Sequence, residues 1–582
     1  MAGLFFWESN SDYNQSNVRQ KFLALGYKNP KYLHSGNWHI LVFPKLSYDI
    51  DNWLEIDGRQ ICGVGTFAYK GLVYEKALSK LLNDFIKNKL DKKSFWGSFL
   101  ILINSKEGLT LLRDGACLTR LFSIENNKVF STSFAGLIDT SPKPLNINRD
   151  AVIELFSSGL NTADNTIIQE IKSLIPPFYP QNIDIWHSEC KEYPEPLSRT
   201  EALHQQINIA QDYYNQISND WKNYQPSGVL DIGVTGGMDS RLSVALASKC
   251  DIEKVFHTSW RKEGMKNSDF RYATILAKET NTKLNTQKIT PALDMNEEQL
   301  IQTYENAYEL SDGNIRQGVY WDEANNTTNY RQKLTQPPYL RLMGYGGEQY
   351  RNDERLPLKS NRNLRSWIKW EMTYHIFGNN FISKSEENRI FDIIERNIIN
   401  QIGPNLFLNL QNHKEYIHLI QSTSYRSIKA NYENRIGFCI NPFLDTCLSK
   451  PAFMAIPYLG KSLGFQIEMI KNISCEIAKI PNGYGFNFAK GEPFLQKTGS
   501  VIWQLLPPYL KIPLYRKLVN SMRSDYVSKM TEKFPFVNKL EQNVKELNLP
   551  IKHEEFRQIS QRARLILNLG YFIERNREKI NF

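Results

Sequence analysis

Cysteine is scarce in this 582-residue chain. Its seven residues (Cys62, Cys117, Cys190, Cys250, Cys439, Cys447, Cys475) are scattered, odd in number and never spaced Cys-x-x-Cys. That pattern excludes a disulfide framework or a zinc ribbon and predicts a reducing, cytoplasmic setting. No run of 18 apolar residues occurs, so no membrane span is expected. Met1-Ala2-Gly3 lacks the basic stretch that opens a secretion signal. Charge of one sign is not concentrated either. The net +10 is modest and its bases are spread out, which favours small anionic ligands such as nucleotides over nucleic acid. No module pairs aromatic with basic residues in the manner of an RNA-binding surface. What remains is ordinary globular material, 41% hydrophobic and long enough for two or more domains.

One stretch carries most of the chemistry. The apolar run Val229 to Val234 reads as a buried parallel strand. Thr235-Gly236-Gly237-Met238-Asp239-Ser240 follows, and Leu242, Val244, Ala245 and Ala247 continue at helical spacing. Strand, glycine turn and helix in that order aim backbone N–H groups and a helix N-terminus at one point, where phosphate oxygens can bind. The Lys-Ser/Thr ending of a Walker loop is missing. The order instead resembles the Ser-Gly-Gly-x-Asp-Ser signature of the ATP pyrophosphatases. That likeness implies that Thr235, Gly236, Gly237, Asp239 and Ser240 hold the pyrophosphate of ATP. Ser259, ending the next expected strand (Lys254–Ser259), is placed with them.

Residues 1–200 alternate short strands with few long helices and read as a β-rich α+β layer structure. Gly97-Ser98-Phe99, a strand, Leu111-Leu112-Arg113-Asp114 and then Phe130-Ser131-Thr132-Ser133 resemble the glutaminase domain of the asparagine synthetase family. The resemblance implies an Ntn-hydrolase-like αββα sandwich. Glutamine-using members expose a cysteine immediately after the initiator Met; here the residue is Ala2. A methyl group has no nucleophilic atom, so this domain is not expected to hydrolyse glutamine. Cys62 and Cys117 sit inside the chain without the free α-amine that the mechanism uses. The Pro-rich runs Ile171–Pro177 and Tyr193–Pro196 read as an interdomain crossing near residue 200.

Beyond it, strands and helices alternate (strands Lys283–Ile289 and Tyr339–Met343, helices Asp269–Thr280 and Glu297–Leu310), as in a parallel sheet with helices on both faces. The second domain is therefore set at 201–582, a parallel-sheet ATP pyrophosphatase (PP-loop) fold. Gly344-Tyr345-Gly346-Gly347-Glu348 stands where asparagine synthetases carry Gly-Glu-Gly-x-Asp-Glu. By that likeness Glu348 joins Asp239 as a Mg²⁺ ligand. β-Lactam and carbapenam synthetases also have Gly-Tyr-Gly there, and in them the tyrosine pairs with a downstream glutamate as a base. Tyr345 with Glu371 is the corresponding expectation. Pro442-Phe443-Leu444-Asp445 matches the family's Pro-Phe-Leu-Asp, with Ile440-Asn441 in place of Arg-Val. Ile480–Phe486 falls at a loop that carries a lysine in the family; Asn482 stands near its place, so Lys490, or else Lys479, is expected to serve.

Taken together, the resemblance implies an ATP-dependent amide-forming ligase using ATP and Mg²⁺. It would join a small-molecule or peptide carboxylate to an amine or ammonia through an acyl-adenylate. Three alternatives stand beside it: an ammonia-dependent asparagine synthetase, an intramolecular cyclase of the β-lactam synthetase kind, and a scaffold that has lost catalysis, toward which Thr235, Glu348 and Asn482 are deviations. A homodimer is left open, and neither substrate can be named.

Overall fold

The computed structural model describes residues 2–106, 108–261, 268–316, 338–352, 364–369, 382–403, 426–506, 525–556 and 560–581, with Gln411, 414–416, His418, Thr423 and Leu510. The first half contains β1 (Gly3–Glu8), β2 (Lys31–Ser35), β3 (Trp38–Phe43), β4 (Trp53–Ile56), β5 (Arg59–Tyr69), β6 (Leu72–Val73), β7 (Phe95–Ser105), β8 (Gly108–Arg113), β9 (Phe122–Ile124) and β10 (Val129–Ser131). Three short strands complete it: β11 (Leu145–Asn146), β12 (Lys172–Ser173) and β13 (Asp184–His187). One sheet runs β12-β9-β10-β1-β3-β2, and a second runs β13-β8-β7-β5-β4 with β6 on β5.

Strand periodicity explains how they stack. Leu4, Phe6, Ile40 and Val42 point from the first sheet into one core with Cys62, Val64, Leu100 and Leu102 of the second. The alternate residues face outward. Phe43 stacks on Phe22 of helix α1 (Gln15–Ala24), ring centroids 4.6 Å apart. Helix α2 (Glu75–Ile86) lays Leu78, Leu81 and Leu82 on the other outer face. The layers are helix, sheet, sheet, helix. The sequence reading passes over α1 because only Val18 and Phe22 of its ten residues are buried, too few for a helical stripe.

Helices α3 (Phe134–Thr140) and α4 (Arg149–Ser158) follow. The Pro-rich run divides differently from expectation. Lys172–Ser173 pairs with β9, so Ile171–Pro177 belongs to the first half's sheet edge, and the crossing runs through 188–198. It ends in helix α5 (Arg199–Tyr224), whose N-cap Ser198 accepts from the Glu201 amide.

The second half is built on β14 (Val229–Gly233), β15 (Glu253–Arg261), β16 (Lys283–Ile289), β17 (Tyr339–Leu342) and β18 (Phe438–Ile440), all parallel, in the order β16-β15-β14-β17-β18. The connecting helices include α6 (Met238–Ala247), α7 (Ser268–Glu279) and α8 (Glu297–Ser311). The chain winds from β14 to one side through β15 and β16, then returns to its other side at β17. That reversal opens a crevice at the carboxyl ends of β14 and β17, the place where open α/β sheets bind ligands. β19 (Ile580–Asn581) comes back to pair with β11. Among the described residues no helix is long and apolar enough to cross a membrane.

The halves interlock through buried polar groups. Asp445 accepts from the Gly97 amide at 2.6 Å and from Tyr213 Oη at 2.7 Å, so the Pro-Phe-Leu-Asp and Gly-x-Phe segments meet. Gly97 has φ +112°, and a Cβ there would fall 2.1 Å from the Thr66 carbonyl oxygen. Asp312 accepts from the amides of Phe134 and Ala135 at the N-terminus of α3 and pairs with Arg435 at 2.9 Å. Buried Lys45 donates to the carbonyls of Gly65, Asn434 and Gly437 at 2.8, 2.9 and 2.7 Å. Lys45→Met should therefore lower stability by about 1–3 kcal/mol for each carbonyl left without a donor. Thermal unfolding checks this; an unchanged midpoint would mean that Lys45 does not hold the junction.

Candidate active site

The turn after β14 is knitted by its own side chains. The Thr235 amide donates to Ser240 Oγ at 3.2 Å, and the two hydroxyl oxygens lie 3.1 Å apart. The Gly237 amide donates to Thr235 Oγ1 at 3.0 Å, and the Gly236 amide donates to Asp269 Oδ1 on α7 at 2.9 Å. Gly237 is the N-cap of α6, and no side chain caps that helix among the described residues. Its first-turn N–H groups are the orphan donors that an anion can satisfy. Glycine is needed at 236: a Cβ would fall 2.8 Å from Tyr272 and 3.2 Å from Gly483.

Two more loops close on this turn. A Cβ on Gly347 would fall 2.7 Å from Asp239 Oδ1, so the loop after β17 lies directly on the first turn of α6. From the other side the Gly483 amide donates to the Gly236 carbonyl at 2.9 Å. Arg241, fully buried, fixes that third loop by donating to the Pro481 carbonyl at 2.6 Å, and burial pushes its guanidinium down to about 10. Asn482 is not a substitute cation. Its side chain bridges the Phe486 carbonyl and the Tyr484 amide, both at 2.8 Å, and shapes the loop.

The two carboxylates expected to bind metal are already partnered. Asp239 pairs with Arg351 and accepts from Gln466 Nε2 at 2.9 Å. Glu348 pairs with Arg426 and accepts from the Gly346 amide at 3.1 Å. Burial pushes Arg426 down to about 10, against the attraction of Asp239 and Tyr345. Arg426 is thus paired with Glu348 and lies within the electrostatic influence of Asp239 and Tyr345. Among the described residues no group of three or more His, Cys, Asp or Glu forms a metal cluster. Asp239 and Glu348 are the residues that could hold a cation.

Tyr345 is 38% exposed. Its expected partner Glu371 lies outside the described residues. Ser259 is exposed on β15, two residues beyond His257, which pairs in register with Gly233 at the end of β14. Lys479 and Lys490 are both exposed, Lys490 closing the short turn Phe488–Lys490 after the third loop.

Sequence reasoning missed Asp269, Arg351, Arg426 and Gln466, because nothing in their spacing marks them. It also missed what sits behind the turn. Asp231 is fully buried within the apolar strand and accepts from His257 Nδ1 at 2.7 Å and Arg341 Nε at 2.8 Å. Arg341 reaches Glu433 at 3.3 Å. This network ties β15, β14 and β17 into one frame beneath the loops.

The space beside Ala2 is closed. The Ala2 amide donates to the Arg435 carbonyl at 2.8 Å, and Ala2 is buried. The cavity beside it is about 10 Å³, bordered by Val64, Gly65, Thr132 and Asn434. That is room for about one water and not for glutamine. Burial pushes the thiols of Cys62 and Cys117 up, away from thiolate chemistry.

No family model matches the chain. No curated protein matches it either. Among solved structures it is similar to NMN synthetase from Francisella tularensis, with 15% identity over 41% of this chain and 92% of that one, at a TM-score of 0.16. It is also similar to glutamine-dependent NAD+ synthetase from Acinetobacter baumannii, determined with ADP, with 11% identity over 50% of this chain and 66% of that one, at a TM-score of 0.18. Likenesses this slight carry no functional weight; the sheet order and the three converging loops have to.

Proposed function

We propose that this chain is an ATP-dependent amide-forming ligase that activates a carboxylate as an acyl-adenylate and does not hydrolyse glutamine. The supporting observation is the convergence of three loops, Thr235–Ser240, Gly344–Glu348 and Pro481–Phe486, at the crevice of the parallel sheet. Each loop carries one of the motifs that resemble the asparagine synthetase family.

In this reading the substrate carboxylate attacks the α-phosphorus of ATP. Pyrophosphate leaves toward the N-terminus of α6, where orphan amides and the helix dipole meet its charge. An amine then attacks the acyl carbon and AMP departs. Tyr345, with Glu371, takes the proton that the amine must lose. The residues present suit Mg²⁺: two hard carboxylates on touching loops are what that ion takes when phosphates supply other ligands. Asp239 and Glu348 would hold it, and it would supply neutralisation of phosphate charge. Arg351 and Arg426, displaced from the carboxylates, would be free to meet phosphate oxygens.

ATP–pyrophosphate exchange, screened across carboxylates without glutamine, tests this reading. Exchange that depends on one class of acid supports it; no exchange with any acid favours a scaffold without catalysis. That second reading rests on the arginines that now neutralise Asp239 and Glu348.

Glutamine should yield no glutamate above background, while ammonium or an amine should support amide formation. Ala2→Cys should not restore glutaminase activity, because the cavity beside residue 2 does not admit the substrate. Clear glutamate release from the unaltered protein would overturn the reading of the first half.

A further inference from the structure

A second cavity, of about 60 Å³, lies between the two halves and belongs to no part of the site above. The first half contributes Arg120, Leu155, Ser173 and Ile175; the second contributes Ile315 and Arg316. Two arginines therefore line a space whose other walls mix apolar residues (Leu155, Ile175, Ile315) with polar ones (Asn161, Asn165, Asn314).

Arg120 is the informative residue. Its main chain is fixed, the amide donating to Asn431 Oδ1 at 3.1 Å, and its guanidinium lies over the Phe122 ring, 4.5 Å from the centroid. Its Nε is buried and has no hydrogen-bond partner among the described residues. Asp312, the acid whose charge acts on it, is taken by Arg435 and by the amides of Phe134 and Ala135. Burial, partly offset by Asp312, pushes the guanidinium down to about 10. A buried N–H without an acceptor is costly, and one on a cation more so. Among the described residues no acceptor relieves that cost at Nε. An acceptor entering the cavity would remove it.

We propose that this cavity binds a small organic monocarboxylate, its acid group on Arg120 and its short aliphatic part against Leu155, Ile175 and Ile315. A carboxylate suits the planar fork of arginine. The volume admits a body of only a few carbons, and Leu155, Ile175 and Ile315 give its hydrocarbon part an apolar wall. Because the walls come from both halves, an occupant would hold the junction together and raise the melting temperature by mass action.

The test uses the full chain without nucleotide, so that it is independent of the adenylation reading. Propionate, butyrate, lactate and inorganic phosphate are titrated by calorimetry and by thermal shift. Saturable binding of at least one carboxylate is expected, with a rise in melting temperature. Arg120→Met should weaken that binding about 10- to 100-fold, the scale of a hydrogen bond to a charged group. Ser173→Leu, which fills the cavity while keeping Arg120, should abolish it and decides the matter should Arg120→Met fail to fold. No saturable carboxylate binding to the unaltered protein, or binding that survives Ser173→Leu, would overturn the proposal. Phosphate binding with no carboxylate binding would overturn the ligand class.

Discussion

Asp239→Ala should abolish AMP formation while the protein stays folded. Asp239 sits in the first turn of α6, against the loop that carries Glu348, and it is the carboxylate of the Thr235–Ser240 turn itself. Removing a hard oxygen ligand from a nucleotide-bound cation costs several kcal/mol of charge stabilisation, about 10²–10⁴-fold or more in rate. A simple loss of packing would not do this, since Asp239 is only partly buried. The substitution also removes the carboxylate partner of Arg351 and the acceptor of Gln466 Nε2, so Asp239→Asn is the better control for structure. Asn keeps the acceptor for Gln466 and loses the charge. Both variants should melt close to the unaltered protein, and both should lose acid-dependent ATP–pyrophosphate exchange. Undiminished AMP release from either would remove this turn from the catalytic site.

Tyr345→Phe should separate the two half-reactions. Adenylation needs the phosphate turn and a bound acid, and no proton moves. Amide formation needs an amine that has lost its proton, and amines in water have pKa values several units above neutrality. A general base contributes typically 10²–10⁴-fold, so amide synthesis should fall by about that factor while exchange persists. Tyr345 is 38% exposed, and Phe keeps the ring and its apolar surface. Arg426 stays paired with Glu348. Glu371→Gln should move the same way if the two act as a pair. Wild-type amide synthesis by Tyr345→Phe would reduce Tyr345 to a surface aromatic and remove the likeness to β-lactam synthetases.

The sequence was most legible where one periodicity ran unbroken. Val229 to Val234, then two glycines, then a helical stripe, places β14, the turn and α6 without help, because buried parallel strands are apolar on both faces. The same run hides Asp231: a single acid does not break the pattern, and its partners His257 and Arg341 come from neighbouring strands. Lys172–Ser173 shows the opposite failure. Prolines nearby read as a linker, yet two residues suffice to pair with β9, and no local signal distinguishes a sheet edge from a crossing.

By itself, then, the sequence determined the elements and the chemistry available: a glycine turn at a helix N-terminus, Asp239, Tyr345 and Glu348, and no nucleophile at Ala2. Those follow from residue type and local spacing. Only the tertiary structure decided what each group faces. It brought Pro481–Phe486 onto Gly236, set Arg351 on Asp239 and Arg426 on Glu348, and closed the space beside Ala2 with Arg435 from more than four hundred residues away. Charge pairing and cavity volume are properties of side chains that meet across loops and halves. Spacing along one chain does not encode them, because the long-range contacts are set by the packing of whole sheets.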